Sequence, residues 1–252
     1  MQHREYVRIN PQAETAVLFI HGIVGAPNHF RDLIPLVDLV PAEYSVYNIL
    51  LDGHGGTVED FAETSMKKWH DQVWRTFHEL AAAHKNVILV AHSMGTLFAL
   101  LLAVSFPQKV SKLFLLAIPM RPWVRLHMML DSVALVLGWL NTDCPQKAAV
   151  AKAVGVQTTK KLWKYVTWIP RFLELFREIH RAEKVLPELT VPCTVYQSER
   201  DELVSNRSLK ILKNSGTMTI HTLPRSSHFY YDPADRIKVL HDFEIQMKET
   251  HG

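Results

Sequence analysis

The chain has 252 residues, of which 48% are apolar and 21% charged, and its formal net charge at neutral pH is +3. This length and composition are typical of a folded domain of enzyme size and argue against a disordered or fibrous chain. The weak basic excess does not indicate a nucleic-acid partner. The two cysteines, Cys144 and Cys193, are too few and too far apart to predict a disulfide framework.

The first residues are charged and contain no apolar run, so we expect no secretory signal and a cytoplasmic location. Residues 126–140 are strongly apolar, but this stretch is 15 residues long and contains Asp131. A bilayer-spanning helix needs about 20 apolar residues. We therefore interpret it as an amphipathic helix that is buried or faces a substrate, and we expect no integral membrane segment.

Short apolar runs alternate with helical patterns along the chain. The predicted strands are 15–20, 44–50, 86–91, 112–118, 193–198 and 217–223, and the predicted helices between and after them are 28–39, 65–84, 94–105, 205–213 and 233–249. Ser65 is a candidate N-cap for the second of these helices. The alternation predicts an α/β fold, a mostly parallel sheet with helices on both faces.

The alternation is interrupted once, over residues 121–190. This stretch has no convincing strand, several helical patterns, and 11 Lys and Arg against 6 Asp and Glu, an excess of five positive charges. It also holds four of the tryptophans. We interpret residues 121–190 as a helical cap inserted into a core formed by residues 1–120 and 191–252.

A small polar cluster interrupts two apolar runs in residues 86–104, which read NVILVAHSMGTLFALLLAV. Here a predicted strand passes directly into a predicted helix, and Ser93 lies at the turn. A serine at such a turn projects its hydroxyl above the carboxyl edge of the sheet, where α/β folds bind ligands, and small neighbours such as Ala91 and Gly95 permit the close approach. The alternative is an ordinary helix N-cap.

A lone serine is a poor nucleophile, so a catalytic interpretation requires a base and an orienting acid. Asp201 follows the predicted strand 193–198, and His228 follows the strand 217–223. The order Ser, Asp, His is typical of a nucleophile elbow. Glu199 is a rival acid, Asp201 could simply cap a helix, and His228 could be an ordinary loop histidine.

With these residues the sequence resembles the α/β-hydrolase superfamily, and specifically its monoacylglycerol lipase and carboxylesterase-like members. The segments that carry the resemblance are HGIVGAPNHF (21–30), LDGHGG (51–56), AHSMG (91–95), ERDELV (199–204) and SSHFYYD (226–232). One departure is Ala91, where the elbow pattern G-x-S-x-G has glycine; alanine is small enough for the turn.

The resemblance implies hydrolysis of a small-molecule acyl ester through an acyl-enzyme. Ser93 would be the nucleophile, His228 the general base and Asp201 the acid that orients it. The backbone N–H groups of Ile23 and Met94 would form the oxyanion hole. The same site could instead cleave C–C, amide or peptide bonds, because a fold does not fix a substrate, and a non-catalytic binding protein is a third possibility.

Apolar residues of the predicted cap are candidates for an acyl pocket. They are Trp123, Met128, Met129 and Trp139. The alternative is that they pack the core of the cap. The positive charge of the segment could attract anionic substrates or a lipid surface, or could be a solvated face.

The segment LDGHGGT, residues 51–57, combines an aspartate, a histidine and three glycines but has neither G-x-G-x-x-G nor G-K-[ST]. No H-E-x-x-H occurs in the chain. We therefore expect no metal and no cofactor, and we interpret His54 as a structural loop residue.

Overall fold

A computed structural model describes residues 3–213 and 215–249. Within them a seven-stranded sheet has the order β1-β3-β2-β4-β5-β6-β7, and only the β1–β3 pair is antiparallel. The strands are β1 (Tyr6–Arg8), β2 (Thr15–Ile20), β3 (Ser45–Asn48), β4 (Asn86–His92), β5 (Val110–Leu116), β6 (Cys193–Ser198) and β7 (Met218–Leu223). The predicted mostly parallel sheet is confirmed.

Helices connect the strands and cover both faces of the sheet. They are α1 (Val58–Glu63), α2 (Met66–Ala83), α3 (Met94–Ser105), α4 (Leu126–Leu137), α5 (Pro145–Ala153), α6 (Ile169–Val185), α7 (Ser208–Leu212) and α8 (Pro233–Lys248). Short 3-10 turns occur at Val37–Leu39, Leu162–Trp168 and Leu186–Glu188, and a π-helical turn at His29–Leu33.

The sheet separates two apolar layers because successive strand residues point to opposite faces. In β2, Ala16, Leu18 and Ile20 belong to the layer under α1, α2, α3 and α6. Val17 and Phe19 belong to the layer that contains α8 and the turns after β2. Both layers are buried, which explains why the parallel strands are almost continuously apolar. The carboxyl ends of these strands meet at one edge.

The helix predicted over 28–39 is wrong. The structure has a π-helical turn and a separate 3-10 turn there, and Ile34 between them is extended. Pro35 explains the break, since proline lacks an N–H donor and disfavours helical backbone in the preceding residue. Strand β1, of three residues, and helix α1, of six residues, were not predicted.

Residues 121–190 contain α4, α5 and α6 and no named strand among the described residues. Their two ends behave differently. Pro122 forms a single β-bridge with Val204, whereas α6 packs against α3 and α2 and adds Ile179 and Ala182 to the core. The predicted role of the whole segment as a cap stays a prediction, and we call residues 121–190 the helical insert.

The apolar stretch at 126–140 does form a helix, α4, which ends at Gly138 in the left-handed conformation. Of the two expected settings, burial does not hold for most of the helix, and a substrate-facing position stays a prediction. Only Met128 is buried in α4, and Leu126, Leu130 and Val133 are exposed. Over residues 3–213 and 215–249, no helix combines the length and apolarity needed to cross a membrane.

Candidate active site

Ser93 lies at the turn between β4 and α3, in a strained backbone conformation with φ of 52° and ψ of −124°. Its N–H donates to the carbonyl of Leu116 at 2.9 Å, which anchors the turn to β5. The hydroxyl does not cap α3. The N-cap interpretation therefore fails for the side chain, and the strain holds the hydroxyl away from the helix it precedes.

Two glycines allow the backbone to approach this turn closely. A Cβ atom on Gly95 would collide with the carbonyl oxygen of Ile20, the last residue of β2. A Cβ atom on Gly22 would lie 2.9 Å from the Cβ of Ser93. The loop after β2 is therefore packed directly against Ser93, which is what the sequence pattern HG…SMG requires.

Asp201 and His228 form a buried pair at the carboxyl ends of β6 and β7. His228 Nδ1 lies 2.8 Å from Oδ2 and 3.0 Å from Oδ1 of Asp201. The carboxylate also accepts the N–H groups of Leu203 and Val204 at 2.8 and 2.7 Å. Because Asp201 can only accept, Nδ1 carries the proton and Nε2 is left as an acceptor.

The structure distinguishes the two candidate acids. Glu199, two residues before Asp201, is exposed, and the bonds of the His228 ring to a carboxylate go to Asp201. A third acid, Glu202, also contributes, and nothing in the sequence except its position next to Asp201 indicated this. Glu202 accepts the backbone N–H of His228 at 2.9 Å and so fixes the loop that carries the imidazole.

His92 brings the turn of Ser93 next to His228. Its Nε2 lies 3.1 Å from the carbonyl oxygen of His228, and the two rings are 4.8 Å apart. Between the described residues, no hydrogen bond joins the Ser93 hydroxyl to the His228 ring. Such bonds are often long or misaligned before a substrate binds. The Asp201–His228 pair is assembled, and His92 links it to the turn that carries Ser93.

The two residues predicted to supply the oxyanion-hole N–H groups are Met94, which follows Ser93 in the chain, and Ile23, in the loop after β2. Met94 is the first residue of α3, so its N–H has no partner inside the helix. Ile23 lies in a tight turn in which the N–H of Gly25 donates to Gly22 O at 3.1 Å, and Val24 has a positive φ of 58°. Their role as an oxyanion hole stays a prediction.

Four further histidines near the site are buried, and they are His21, His29, His54 and His92. Burial lowers the pKa of His29 to about 3 and of His54 to about 4, and holds the pKa of His21 and His92 well below the usual value. His21 shows the structural role, because it accepts the N–H of Leu51 and donates to the carbonyl of Gly22. These rings are neutral and hold loops together.

The helical insert contacts the loops after β2 and β3. Gly155 donates its N–H to the carbonyl of Val24 at 2.7 Å, and Gln157 donates to Gly56 O at 2.8 Å. Val156 between them is buried. At the site itself, Ser93 is 8% and His228 is 2% exposed.

The predicted acyl-pocket residues do not form one enclosed pocket. Trp123, Met129 and Trp139 are 55–76% exposed, so they do not pack a core of the insert. Met128 is buried and lines a cavity of about 310 Å³. Ser93 lines neither this cavity nor a second one, of about 570 Å³, beside His54. Their role in substrate binding stays a prediction.

Within residues 3–213 and 215–249, no group of three or more His, Cys, Asp or Glu side chains is arranged to bind a metal ion. Cys144 and Cys193 are both free, so the pair makes no disulfide.

Comparison with known proteins identifies the architecture. A family model described as serine aminopeptidase, S33, matches residues 11–231. A metagenome-derived lipolytic enzyme of the LipS and LipT pair superposes with a TM-score of 0.75 at 21% identity, covering 98% of each chain. The monoacylglycerol lipase of Paleococcus ferrophilus superposes with a TM-score of 0.67 at 16% identity, covering 99% of each chain. These likenesses show the α/β-hydrolase fold.

A curated relative matches part of the chain. The dihydrolipoyllysine-residue acetyltransferase component of the acetoin cleaving system of Cupriavidus necator is 40% identical over 108 residues, 42% of this chain. The match spans about a quarter of that protein's length, 26%.

Proposed function

Because the chain belongs to the serine aminopeptidase S33 family of α/β-hydrolases, we propose that it hydrolyses carboxylic esters, with Ser93 as the nucleophile. The observation that carries the proposal is the buried pair in which Asp201 binds Nδ1 of His228, together with the strained backbone of Ser93, whose chain neighbour His92 contacts the carbonyl of His228. A structural ion pair would not need the strain at Ser93, and a helix cap would use its hydroxyl.

In the proposed reaction, His228 Nε2 takes the proton of the Ser93 hydroxyl while the oxygen attacks the ester carbonyl. The C–O bond to the alcohol then breaks, and the imidazolium returns the proton to the leaving alcohol. Water enters, loses a proton to the same Nε2 and attacks the acyl-enzyme. The acid leaves, and the hydroxyl of Ser93 recovers its proton.

The negative charge of each tetrahedral intermediate falls on the former carbonyl oxygen, which would receive the N–H groups of Ile23 and Met94. Losing one such donor typically costs about 2.7–4 kcal/mol in the barrier. Asp201 stabilises the imidazolium that forms in the same step. Its own two backbone donors, Leu203 and Val204, keep its carboxylate oriented.

An apolar acyl group is the substrate feature that the insert supports best. Large apolar side chains are exposed along α4 and along the turn before α6, and they include Leu126, Leu130, Trp139, Trp163 and Val166. Soluble proteins rarely leave this much apolar surface uncovered without a binding role. We therefore place fatty acyl esters ahead of small polar ones.

Amide hydrolysis is the second candidate, and the observation that favours it is the family's description as serine aminopeptidases. The same nucleophile and base would serve, but the leaving amine needs full protonation by His228. Parallel assays with an ester and the matching anilide separate the two activities.

A panel of p-nitrophenyl esters of increasing chain length tests the proposal. Ser93→Ala should lose on the order of 10⁴-fold or more in kcat. Ser105→Ala, an exposed serine at the other end of the same helix α3, is the matched control and should retain full activity. Equal rates in wild type and Ser93→Ala would refute the proposal.

A further inference from the structure

A cavity of about 310 Å³ lies where the helical insert meets the loops after β6 and β7. It is open to solvent, and half of its twelve lining residues are charged. Those that carry the argument are Arg125, Asp131, Lys147, Arg200, Glu202 and Arg225. Of the residues assigned to the ester-hydrolysis reaction, neither Ser93, Asp201 nor His228 lines this cavity.

The two carboxylates in its wall are already engaged. Asp131 pairs with Lys147 at 2.8 Å, and Glu202 accepts the backbone N–H of His228 at 2.9 Å. The three arginines take part in none of the ion pairs among the described residues. The cavity therefore holds an excess of positive charge from guanidinium groups, which are suited to bidentate recognition of oxyanions.

The cavity is lined by chain neighbours of both Asp201 and His228. Arg200 and Glu202 flank Asp201 in the chain, and Ser227, which also lines the cavity, immediately precedes His228. Asp201 and His228 themselves are turned away from it and toward each other.

The insert forms the outer wall of the cavity by pairing with the loop after β6. Arg125 donates its N–H to the carbonyl of Glu202 at 2.9 Å, and Trp123 donates to Leu203 O at 2.8 Å. Arg125 thereby lines the same cavity as Arg200 and Arg225. A ligand in the cavity would contact the insert and both loops of the acid–base pair.

We propose that this cavity binds a small oxyanion, a carboxylate or a phosphate group, between Arg125, Arg200 and Arg225. The anion is either the charged end of an ester substrate or a free anion that acts on the enzyme. The first source rests on the proposed esterase function, and binding itself does not depend on it.

Calorimetric titration with inorganic phosphate at low salt tests binding without using catalysis. Wild type should bind one phosphate per chain, and Arg200→Ala/Arg225→Ala should bind at least tenfold more weakly. Both arginines are exposed, so this variant should fold. Arg75→Ala, an exposed arginine on α2 outside the cavity, is the control and should bind like wild type. Equal binding by all three proteins, or no saturable binding by wild type, would overturn the proposal.

Two esters of equal chain length then distinguish the sources. If the anion belongs to the substrate, the double variant raises KM for the p-nitrophenyl hemiester of succinate at least tenfold and leaves p-nitrophenyl butyrate unchanged. If it is a free ligand, phosphate changes the rates of both esters in wild type and of neither in the double variant. Failure of the ester proposal would appear separately, as no cleavage of either ester while phosphate still binds.

Discussion

At the level of single residues, the proposed role of His228 as general base depends on which of its ring nitrogens carries the proton. Asp201→Asn would preserve the shape of the acid but could donate to Nδ1 and so stabilise the wrong tautomer. We expect kcat to fall by roughly 10³–10⁴-fold with little change in KM. Glu199→Gln, the matched change at the exposed rival position, should be silent. Steady-state kinetics on a p-nitrophenyl ester measure both, and comparable losses in the two variants would contradict the assignment.

The sequence predicted Ser93 as the nucleophile and His228 as the base, and it favoured Asp201 over the rival acid Glu199. Both follow β6 within three residues, and spacing alone cannot say which carboxylate turns inward. The structure shows the reason: the N–H groups of Leu203 and Val204 capture the Asp201 side chain inside its own loop. The supporting bonds of His92 and Glu202 to the backbone of His228 were equally invisible, because they depend on how two loops meet.

At the scale of elements, long patterned segments were predictable and short ones were not. Helix α3 was predicted over 94–105 and spans Met94–Ser105, because a buried apolar helix after a turn leaves a clear signal. Strand β1 has three residues and pairs at the sheet edge, too short for any periodicity. The apolar sequence of residues 126–140 also predicted helix α4, but it did not predict that Leu126, Leu130 and Val133 are exposed.

The uncovered apolar faces predict binding to an anionic lipid surface. In the segment before and within α6, Trp163, Val166 and Leu173 are exposed. The exposed cations that bracket this face, Lys160 and Arg177, take part in none of the ion pairs between described side chains. Apolar contact with acyl chains and attraction of lysine and arginine to acidic headgroups act together on such a face.

Sedimentation with vesicles measures this binding. Wild type should bind vesicles that contain phosphatidylserine more tightly than pure phosphatidylcholine, and Trp163→Ser/Leu173→Ser should bind at least about tenfold more weakly, since each buried apolar side chain contributes about 1.5–3 kcal/mol. Ile237→Ser, an exposed apolar residue on α8, is the control. Equal binding by all variants, or a stable dimer in buffer without vesicles, would contradict the prediction.

At the scale of the whole molecule, the buried histidines make stability depend on pH. The folded protein keeps His54 neutral down to its pKa of about 4, whereas the unfolded chain takes up a proton below the usual 6.5. Protons therefore favour unfolding, and stability falls as the pH drops from 6.5 toward 4. One such histidine accounts for roughly 3 kcal/mol by pH 4, and His29 extends the loss to lower pH.

Urea unfolding at pH 7.5, 6.0 and 4.5 measures this loss. The free energy of unfolding should be constant above pH 7 and fall steadily below 6.5. His54→Gln should show a smaller slope, and His127→Gln, an exposed histidine on α4, should keep the slope of wild type. A free energy that does not change between pH 7.5 and 4.5 would show that the buried rings are not neutral in the folded state.

Covalent labelling with a p-nitrophenyl alkylphosphonate, followed by peptide mass analysis, tests directly whether Ser93 is the nucleophile. We predict one label per chain, on the peptide that contains Ser93, with labelling abolished by Ser93→Ala and strongly slowed by Asp201→Asn. A label on another residue, or undiminished labelling of Ser93→Ala, would contradict the account.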